Sequence, residues 1–268
     1  MPELPEVETT VRYLQQKVLQ RTFVGLWTDL EKFAKLKKEI RGKRIQKIWR
    51  RGKNIIFELS DNFSLLIHQK LTGHLLYDKW EKDKVNTYIH LKFFLDNEKV
   101  LALSDLRKFA KVELWRTKDL KKELSSLGPE PLARDFTFEK FREVLKGRQG
   151  KIKQVLMDQE VIAGIGNIYS DEILWRVRVH PFKRGAKLAE KELKNIYKNI
   201  KSVLKKAIEL KGESISDYRD PSGRKGEFDK IRRVYRREGE SCSRCGTTIK
   251  RAKLAGRSAH FCPTCQTP

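Results

Sequence analysis

Cys242-Ser243-Arg244-Cys245 and Cys262-Pro263-Thr264-Cys265 stand near the end of the chain, with the sixteen residues Gly246 to Phe261 between them. A Cys-x2-Cys pair fits a tight turn that presents two thiolates to one ion, and two such pairs predict a zinc ribbon or finger. These are all of the chain's cysteines. No position is left open for chemistry, so a single Zn2+ is predicted in a structural role. His260 lies close to Cys262, but a tetrahedral ion needs no fifth ligand, and this histidine reads as a packing or surface residue. The intervening segment carries Lys250, Arg251, Lys253 and Arg257 with few acids. A β-hairpin with a basic tip suits a nucleic-acid backbone or groove; a solvated basic hairpin is the alternative.

The rest of the chain points the same way. Among 268 residues, 59 are Lys or Arg against 35 Asp or Glu, a net charge of +24. That excess is more than solubility requires and favours a polyanionic partner, although a generally basic proteome would produce it too. Hydrophobic residues make up 39%, enough for a real core. No run of about 18 apolar residues is present, so no membrane span is predicted. The opening Met1-Pro2-Glu3-Leu4-Pro5-Glu6-Val7-Glu8 is acidic, the reverse of the basic start of a secretion signal. A cytoplasmic protein is expected, with its thiols reduced and available to a metal.

Hydrophobic spacing divides the chain. Val7, Val11, Leu14 and Val18 predict a helix over Val7 to Val18. From about Phe23 to Trp115 short β-like runs follow, among them Ile45–Trp49, Asn54–Leu59, Ser64–His68, Thr87–Phe94 and Val100–Leu103. Gly42, Gly52, Asp61-Asn62, Gly73 and Asp96-Asn97 punctuate them, which predicts a β-sandwich or barrel-like domain. Leu127-Gly128-Pro129-Glu130-Pro131-Leu132 reads as a linker. Helices are predicted at Phe138–Leu145, Ile152–Met157, Ile168–Val177 and Glu190–Leu210. Gly212 to Gly226 is polar, contains Asp220-Pro221-Ser222-Gly223, and reads as a mobile surface loop.

Pro2 adds a chemical possibility. Bacterial methionine aminopeptidase removes Met1 when the next residue is small, and the product would be a secondary amine. An α-amino group has a pKa near 8, about two units below lysine, so a useful fraction is neutral and nucleophilic. On an aldehyde carbon it would form an iminium, an electron sink for elimination, with Glu3 and Glu6 at hand for proton transfer. With Met1 retained, the Pro2 nitrogen is an amide and cannot attack. Many chains begin Met-Pro-Glu, so these residues alone do not decide the matter.

Four segments together carry a resemblance. Pro2-Glu3-Leu4-Pro5-Glu6-Val7-Glu8, Arg51-Gly52-Lys53, Gly164-Ile165-Gly166-Asn167-Ile168-Tyr169-Ser170-Asp171-Glu172 and the four-cysteine module occur in the order seen in the formamidopyrimidine-DNA glycosylase family, which includes the endonuclease VIII-like enzymes. The chain resembles the formamidopyrimidine branch along essentially its whole length. The resemblance implies a multidomain α+β protein. A catalytic β-sandwich with its helix would span 1–126, a helix–two-turn–helix DNA-binding domain 132–228 and a zinc-finger hairpin 234–268. It implies a monomeric, nucleoid-associated base-excision-repair enzyme acting on double-stranded DNA with a flipped-out damaged nucleotide. The activity implied is bifunctional: removal of oxidised purines, namely 8-oxoguanine and formamidopyrimidines, and abasic-site cleavage by β,δ-elimination through a proline Schiff base.

Residue by residue, the resemblance makes Pro2 the nucleophile and Glu3 the general acid or base. Lys53 and Arg257 become phosphate-gripping members of the catalytic set. His68, His90, Lys151, Asn167, Tyr235 and Arg107 are expected on DNA, with Asn167 also a suitable helix N-cap facing phosphate. Leu71, Arg107 and Phe109 would fill the hole left by the flipped base, although ordinary core packing is the plain alternative for Leu71 and Phe109. Glu172 is expected to serve structure, because a carboxylate beside phosphate is unfavourable unless paired.

The chain also departs from the family. Leu71 stands where most of the branch has methionine. Ala110 replaces a glycine, and a turn needing positive φ would be strained there. The Gly212–Gly226 loop, where the family caps the flipped base, is idiosyncratic. Two rival readings therefore remain: the same chemistry on oxidised pyrimidines or bulky and crosslinked lesions, or a catalytically silent damage-binding paralogue.

Overall fold

A computed structural model describes residues 1–214 and 217–267; Ile215 and Ser216, within the predicted Gly212–Gly226 loop, and Pro268 lie outside the described residues. The chain forms two compact units: Met1–Ser126 with Ala207–Asp229, and Leu127–Lys206 with the chain from Lys230 onward. No helix among the described residues is long and apolar enough to cross a membrane.

The first unit opens with helix α1 (Leu4–Val18), which starts one turn earlier than apolar spacing alone predicts. The Glu3 amide donates to Glu6 Oε2 at 2.6 Å and closes a capping box, and Pro5 sits in the first turn, where its missing N–H has no helical partner to lose. Val7, Val11, Leu14 and Val18 form the buried stripe. Eight strands follow: β1 (Phe23–Thr28), β2 (Ile45–Arg51), β3 (Asn54–Leu59), β4 (Phe63–His68), β5 (His74–Tyr77), β6 (Ile89–Leu95), β7 (Val100–Ser104) and β8 (Lys111–Arg116). A short helix, α2 (Leu36–Glu39), interrupts them after β1, and α3 (Thr117–Glu123) follows β8. They pair antiparallel into two four-stranded sheets, ordered β1-β6-β7-β5 and β2-β3-β4-β8.

One core joins these sheets to α1. Phe23, Leu91, Phe93 and Leu103 come from the first sheet, Ile48, Ile55, Phe57, Leu65 and Ile67 from the second, and Val7, Val11 and Leu14 from the helix. Ile55, Phe57 and Leu59 of β3 alternate into this core, while Ile56 on the other face of the strand is buried as well. A side chain such as Phe57, with no exposed surface, gains about 2–3 kcal/mol from burial. The result is the predicted N-terminal β-sandwich.

The described residues of the Gly212–Gly226 segment are irregular, as expected, but most of them pack into the first unit rather than lying on its surface. Glu213, Ser214, Tyr218, Arg219 and Asp220 are all buried, at 8% exposure or less. The segment's polar composition is satisfied internally, by bonds to α1 and to residues 81–86.

The second unit holds α4 (Phe138–Leu145), α5 (Ile152–Met157), α6 (Asn167–Arg176) and most of α7 (Glu190–Glu209), then the hairpin β9 (Lys250–Leu254) and β10 (Arg257–Phe261). The Thr137 hydroxyl caps α4 by accepting from Lys140 N at 3.3 Å. The finger packs on the end of α6 through Trp175, Val234, Cys242, Ile249 and Cys262. Arg244 lies 4.1 Å over the Trp175 ring and donates to that residue's carbonyl at 3.1 Å. Helices and hairpin thus follow the sandwich in the order expected of the α+β fold.

Candidate active site and metal centre

The amino terminus lies in the first unit among charged groups. Pro2 is buried, and Glu3 and Glu6 are 2% and 1% exposed. Burial lowers the ammonium of Met1, the residue ahead of Pro2, below its usual value; Glu3 and Glu6 oppose that shift, while Lys53 reinforces it and Asp217 opposes it. An amine shifted this way is neutral in a larger fraction at neutral pH and has a free lone pair. Glu6 is held from several sides. Its carboxylate accepts from the Glu3 and Glu213 amides at 2.6 and 2.8 Å, and its carbonyl accepts from the Tyr218 hydroxyl at 3.0 Å. Gly212 is required beside it: φ is +83°, and an added Cβ would sit 2.5 Å from Glu6 Oε1.

Lys53 occupies the turn between β2 and β3, next to Gly52 with its φ of +56°, and is 7% exposed. Arg50 braces that turn against α1, donating to Glu8 Oε2 at 3.0 Å and to the Gly52 carbonyl at 2.9 Å. His68 ends β4, and its Nδ1 accepts from the Lys70 amide at 2.9 Å. Burial, then Lys70 and Lys53, push its pKa down to about 4, so the ring is neutral at physiological pH. His90 lies on β6 and faces Asp29, 2.8 Å from Nδ1 to Oδ2.

The three residues expected to fill the duplex sit in two adjoining turns. Leu71 is half-buried, Arg107 is exposed, and Phe109 is 51% exposed with the Arg107 guanidinium 4.7 Å above its ring. Core packing therefore does not account for Phe109. The strain expected at Ala110 is absent. The positive φ in this turn belongs to Lys108, at +58°. Ala110 is buried, and its amide donates to Asp105 Oδ2 at 2.8 Å. The methyl group is thus accommodated without a left-handed backbone.

In the second unit, Asn167 is the first residue of α6 rather than its cap. Gly166 takes the extended cap conformation (φ −136°, ψ −152°). The Asn167 side-chain amide instead donates to Ser258 Oγ on β10 at 3.3 Å, and its Oδ1 is buried with no partner among the described residues. Glu172 serves structure, as expected: its carboxylate accepts from the amides of Arg233, Val234 and Tyr235 at 2.8–2.9 Å. Tyr235 stacks edge-on to His260, ring centroids 5.1 Å apart. Lys151 stands before α5, its Nζ 4.5 Å over Phe182. Arg257 opens β10, exposed at the hairpin tip.

One cluster went unnoticed in the sequence. Lys153 and Asp171, both with fully buried side chains, pair at 2.5 Å. Lys153 also donates to the Ser258 carbonyl at 2.6 Å, and Asp171 Oδ2 accepts from the amide and Nδ1 of His260, both at 3.0 Å. The adjacent acids Asp171-Glu172 were the available signal, since two carboxylates in succession on a buried helix must both find partners.

The sulfurs of Cys242, Cys245, Cys262 and Cys265 lie within 4.8 Å of one another, and none is in a disulfide. Tetrahedral zinc with thiolates at about 2.3 Å requires sulfur separations of about 3.8 Å. Observed pairs at 3.4 and 4.0 Å bracket that value. His260 is turned away from the thiols toward Asp171 and stays outside the ligand set.

The N-terminal domain of formamidopyrimidine-DNA glycosylases matches residues 1–112, their H2TH domain residues 127–219, and the zinc finger found in FPG and IleRS residues 239–268. The chain belongs to the formamidopyrimidine-DNA glycosylase family. The formamidopyrimidine-DNA glycosylase of Heliobacterium modesticaldum is 41% identical over 99% of this chain and 100% of its own, and that of Chloroflexus aurantiacus is 42% identical over 99% and 98%. Among solved structures, Lactococcus lactis Fpg bound to DNA containing an abasic site superposes with a TM-score of 0.90. It is 37% identical, covering 99% of this chain and all of that one. The same Lactococcus enzyme bound to Fapy-dG DNA gives 0.89 at the same identity, again covering 99% of this chain and all of that one. The protein is thus a DNA-repair glycosylase whose four cysteines hold one structural zinc ion.

Proposed function

We propose that the enzyme is a bifunctional glycosylase and abasic-site lyase for oxidised purines, 8-oxoguanine and formamidopyrimidines, in double-stranded DNA. The observation that carries this reading is the placement of Pro2, which is buried with the adjoining carboxylates of Glu3 and Glu6, themselves 2% and 1% exposed. Once Met1 is removed, the Pro2 nitrogen attacks the sugar C1′ and the bond to the damaged base breaks. Glu3 protonates the ring oxygen as the sugar opens to an iminium. Loss of a C2′ proton expels the 3′ phosphate, and a second elimination expels the 5′ phosphate. The base departs with its bonding pair, ring opening sends the C1′–O pair to the protonated oxygen, and in each elimination the pair of the broken C–H bond passes through the iminium while the phosphate leaves with its own bonding pair.

Lys53, His68, His90, Asn167, Lys151, Tyr235 and Arg257 bind the strand, while Leu71, Arg107 and Phe109 occupy the vacated stack and residues 212–226 cover the extruded base. The division of labour follows the three segments 1–126, 132–228 and 234–268. The Lactococcus complexes with abasic-site and Fapy-dG DNA support abasic and formamidopyrimidine-containing DNA as the substrate class, and a monomer suffices for this contact set.

Borohydride trapping on abasic duplex is the test, with mass spectrometry of the amino terminus. Processed protein is expected to form a covalent adduct through Pro2, and Pro2→Gly to lose it or slow it severely. Absence of an adduct from Met1-free protein refutes the lyase chemistry.

A further inference from the structure

A chain of buried polar groups runs through the first unit from the two exposed turns to the segment beside the amino terminus. Asp105 begins it. The Thr72 hydroxyl donates to Asp105 Oδ1, and the Ala110 amide donates to Oδ2 at 2.8 Å. The Thr72 hydroxyl accepts from the Arg107 amide at 3.1 Å. One carboxylate and one hydroxyl thus lock together the turns that carry Leu71, Arg107 and Phe109.

The chain continues through His74, whose Nδ1 lies 3.4 Å from the Thr72 carbonyl and Nε2 2.9 Å from Asn86 Oδ1. Asn86 is 3% exposed, and its Nδ2 donates to the carbonyls of Glu81 at 2.8 Å and Gly223 at 3.2 Å. With both amide protons committed, Oδ1 must face His74, so Nε2 of that ring carries the proton and Nδ1 of the neutral ring does not donate to the Thr72 carbonyl; His74 and Thr72 are linked instead by the two-residue run of backbone that leads into β5. Gly223 (φ +86°) belongs to the turn Asp220–Arg224, and a Cβ there would lie 2.8 Å from Asn86 Nδ2. Further bonds tie the same turn down. Arg219 reaches Asp83 Oδ2 at 2.9 Å, Glu81 N donates to the Ser222 carbonyl at 2.9 Å, and Tyr77 N to the Pro221 carbonyl at 2.8 Å. Toward the amino terminus, Tyr218 and Glu213 bond Glu6.

We infer that Asn86 is a positioning residue that couples the duplex-filling turns to the segment covering the extruded base, so that base removal depends on it and abasic-site cleavage does not. Its amide hydrogen-bonds both the strand-borne His74 and the Gly223 carbonyl. A shift of the Thr72–Asp105 pair, such as insertion into a base stack would impose, passes through His74 to that turn. An abasic site has no base to cover, so its attack by the amine needs the duplex-filling turns but not the seated segment. The inference rests on the function proposed above.

Asn86→Asp keeps the acceptor for His74 but faces carboxylate oxygen against the Glu81 and Gly223 carbonyls, which pushes the turn away. Gly223→Ala perturbs the same junction from the opposite side. Base release from an 8-oxoguanine duplex and borohydride trapping on a ready-made abasic duplex are to be measured in single turnover, with thermal unfolding alongside. Both variants are expected to release base at least about tenfold more slowly while trapping stays within about twofold. Equal losses on the two substrates in either folded variant, or no loss in both, overturn the coupling. If unsubstituted Met1-free protein releases base and traps, the proposed function stands whatever the variants do; if it does neither, that function falls and the coupling falls with it.

Discussion

Substituting Asp171 by asparagine removes one charge from a pair with no contact with solvent. Lys153 would then keep its full positive charge without the carboxylate that matches it, beside the neutral Ser258 carbonyl at 2.6 Å. Breaking a buried pair from one side costs about 3–5 kcal/mol, because the surviving charge is left uncompensated. The reverse change, Lys153→Met, is expected to cost less. Asp171 retains two donors from His260, each at 3.0 Å, so its charge stays partly stabilised. Removing both charges in Lys153→Met/Asp171→Asn leaves neither member of the pair as an uncompensated ion. The double variant should therefore be more stable than Asp171→Asn alone, by about 2 kcal/mol. At about 4 °C per kcal/mol for a unit of this size, the single change lowers the melting temperature by roughly 12–20 °C. Calorimetry at neutral pH on the three variants measures the order, with zinc content checked in the native protein. Additive losses, with the double variant least stable of all, would show that the two side chains do not act as a compensated pair.

Arg257→Ala should weaken binding to duplexes of all sequences alike and reduce the slope of log K against log salt by about 1, as loss of one phosphate contact does; an unchanged slope removes Arg257 from the backbone contacts. The depressed pKa of His68, about 4, also has a consequence for stability. The unfolded chain binds this proton near pH 6.5 and the folded one only near 4, so the contribution is complete above 6.5 and is lost as pH falls toward 4. It amounts to about 3 kcal/mol at most. His68→Gln should flatten the pH dependence of unfolding free energy across that window, and an unaltered curve would mean the ring is solvated in the folded state.

Features governed by local spacing were legible in the sequence. Ile152–Met157 and Phe138–Leu145 occur with the predicted bounds, because a 3.6-residue apolar period and a Thr137 cap need only neighbours along the chain. The cysteine spacing works at equally short range. Strands β1 and β5 were harder to read. Gly25 interrupts the first, and all four residues of the second are buried, so neither shows the alternation of a one-sided strand. The cap of α6 was misassigned by one residue because Asn167 has the right chemistry for a cap, while Gly166 has the freer backbone.

Non-local polar satisfaction left no such trace. The polarity of residues 212–226 reads as exposure, yet Glu213, Tyr218, Arg219 and Asp220 are buried, and the segment's partners, Glu6, Asp83 and Asn86, are more than a hundred residues away. A buried polar group must be paired wherever its partner lies in sequence, and hydrophobic periodicity carries no record of that partner. The same reasoning separates the two kinds of residue in this glycosylase. The cysteines, and the roles proposed for Pro2 and Glu3, can be read from chemistry plus spacing, since they depend on what the residues are. Asn86, Thr72 and Asp171 matter through what they touch, and only the folded chain specifies that.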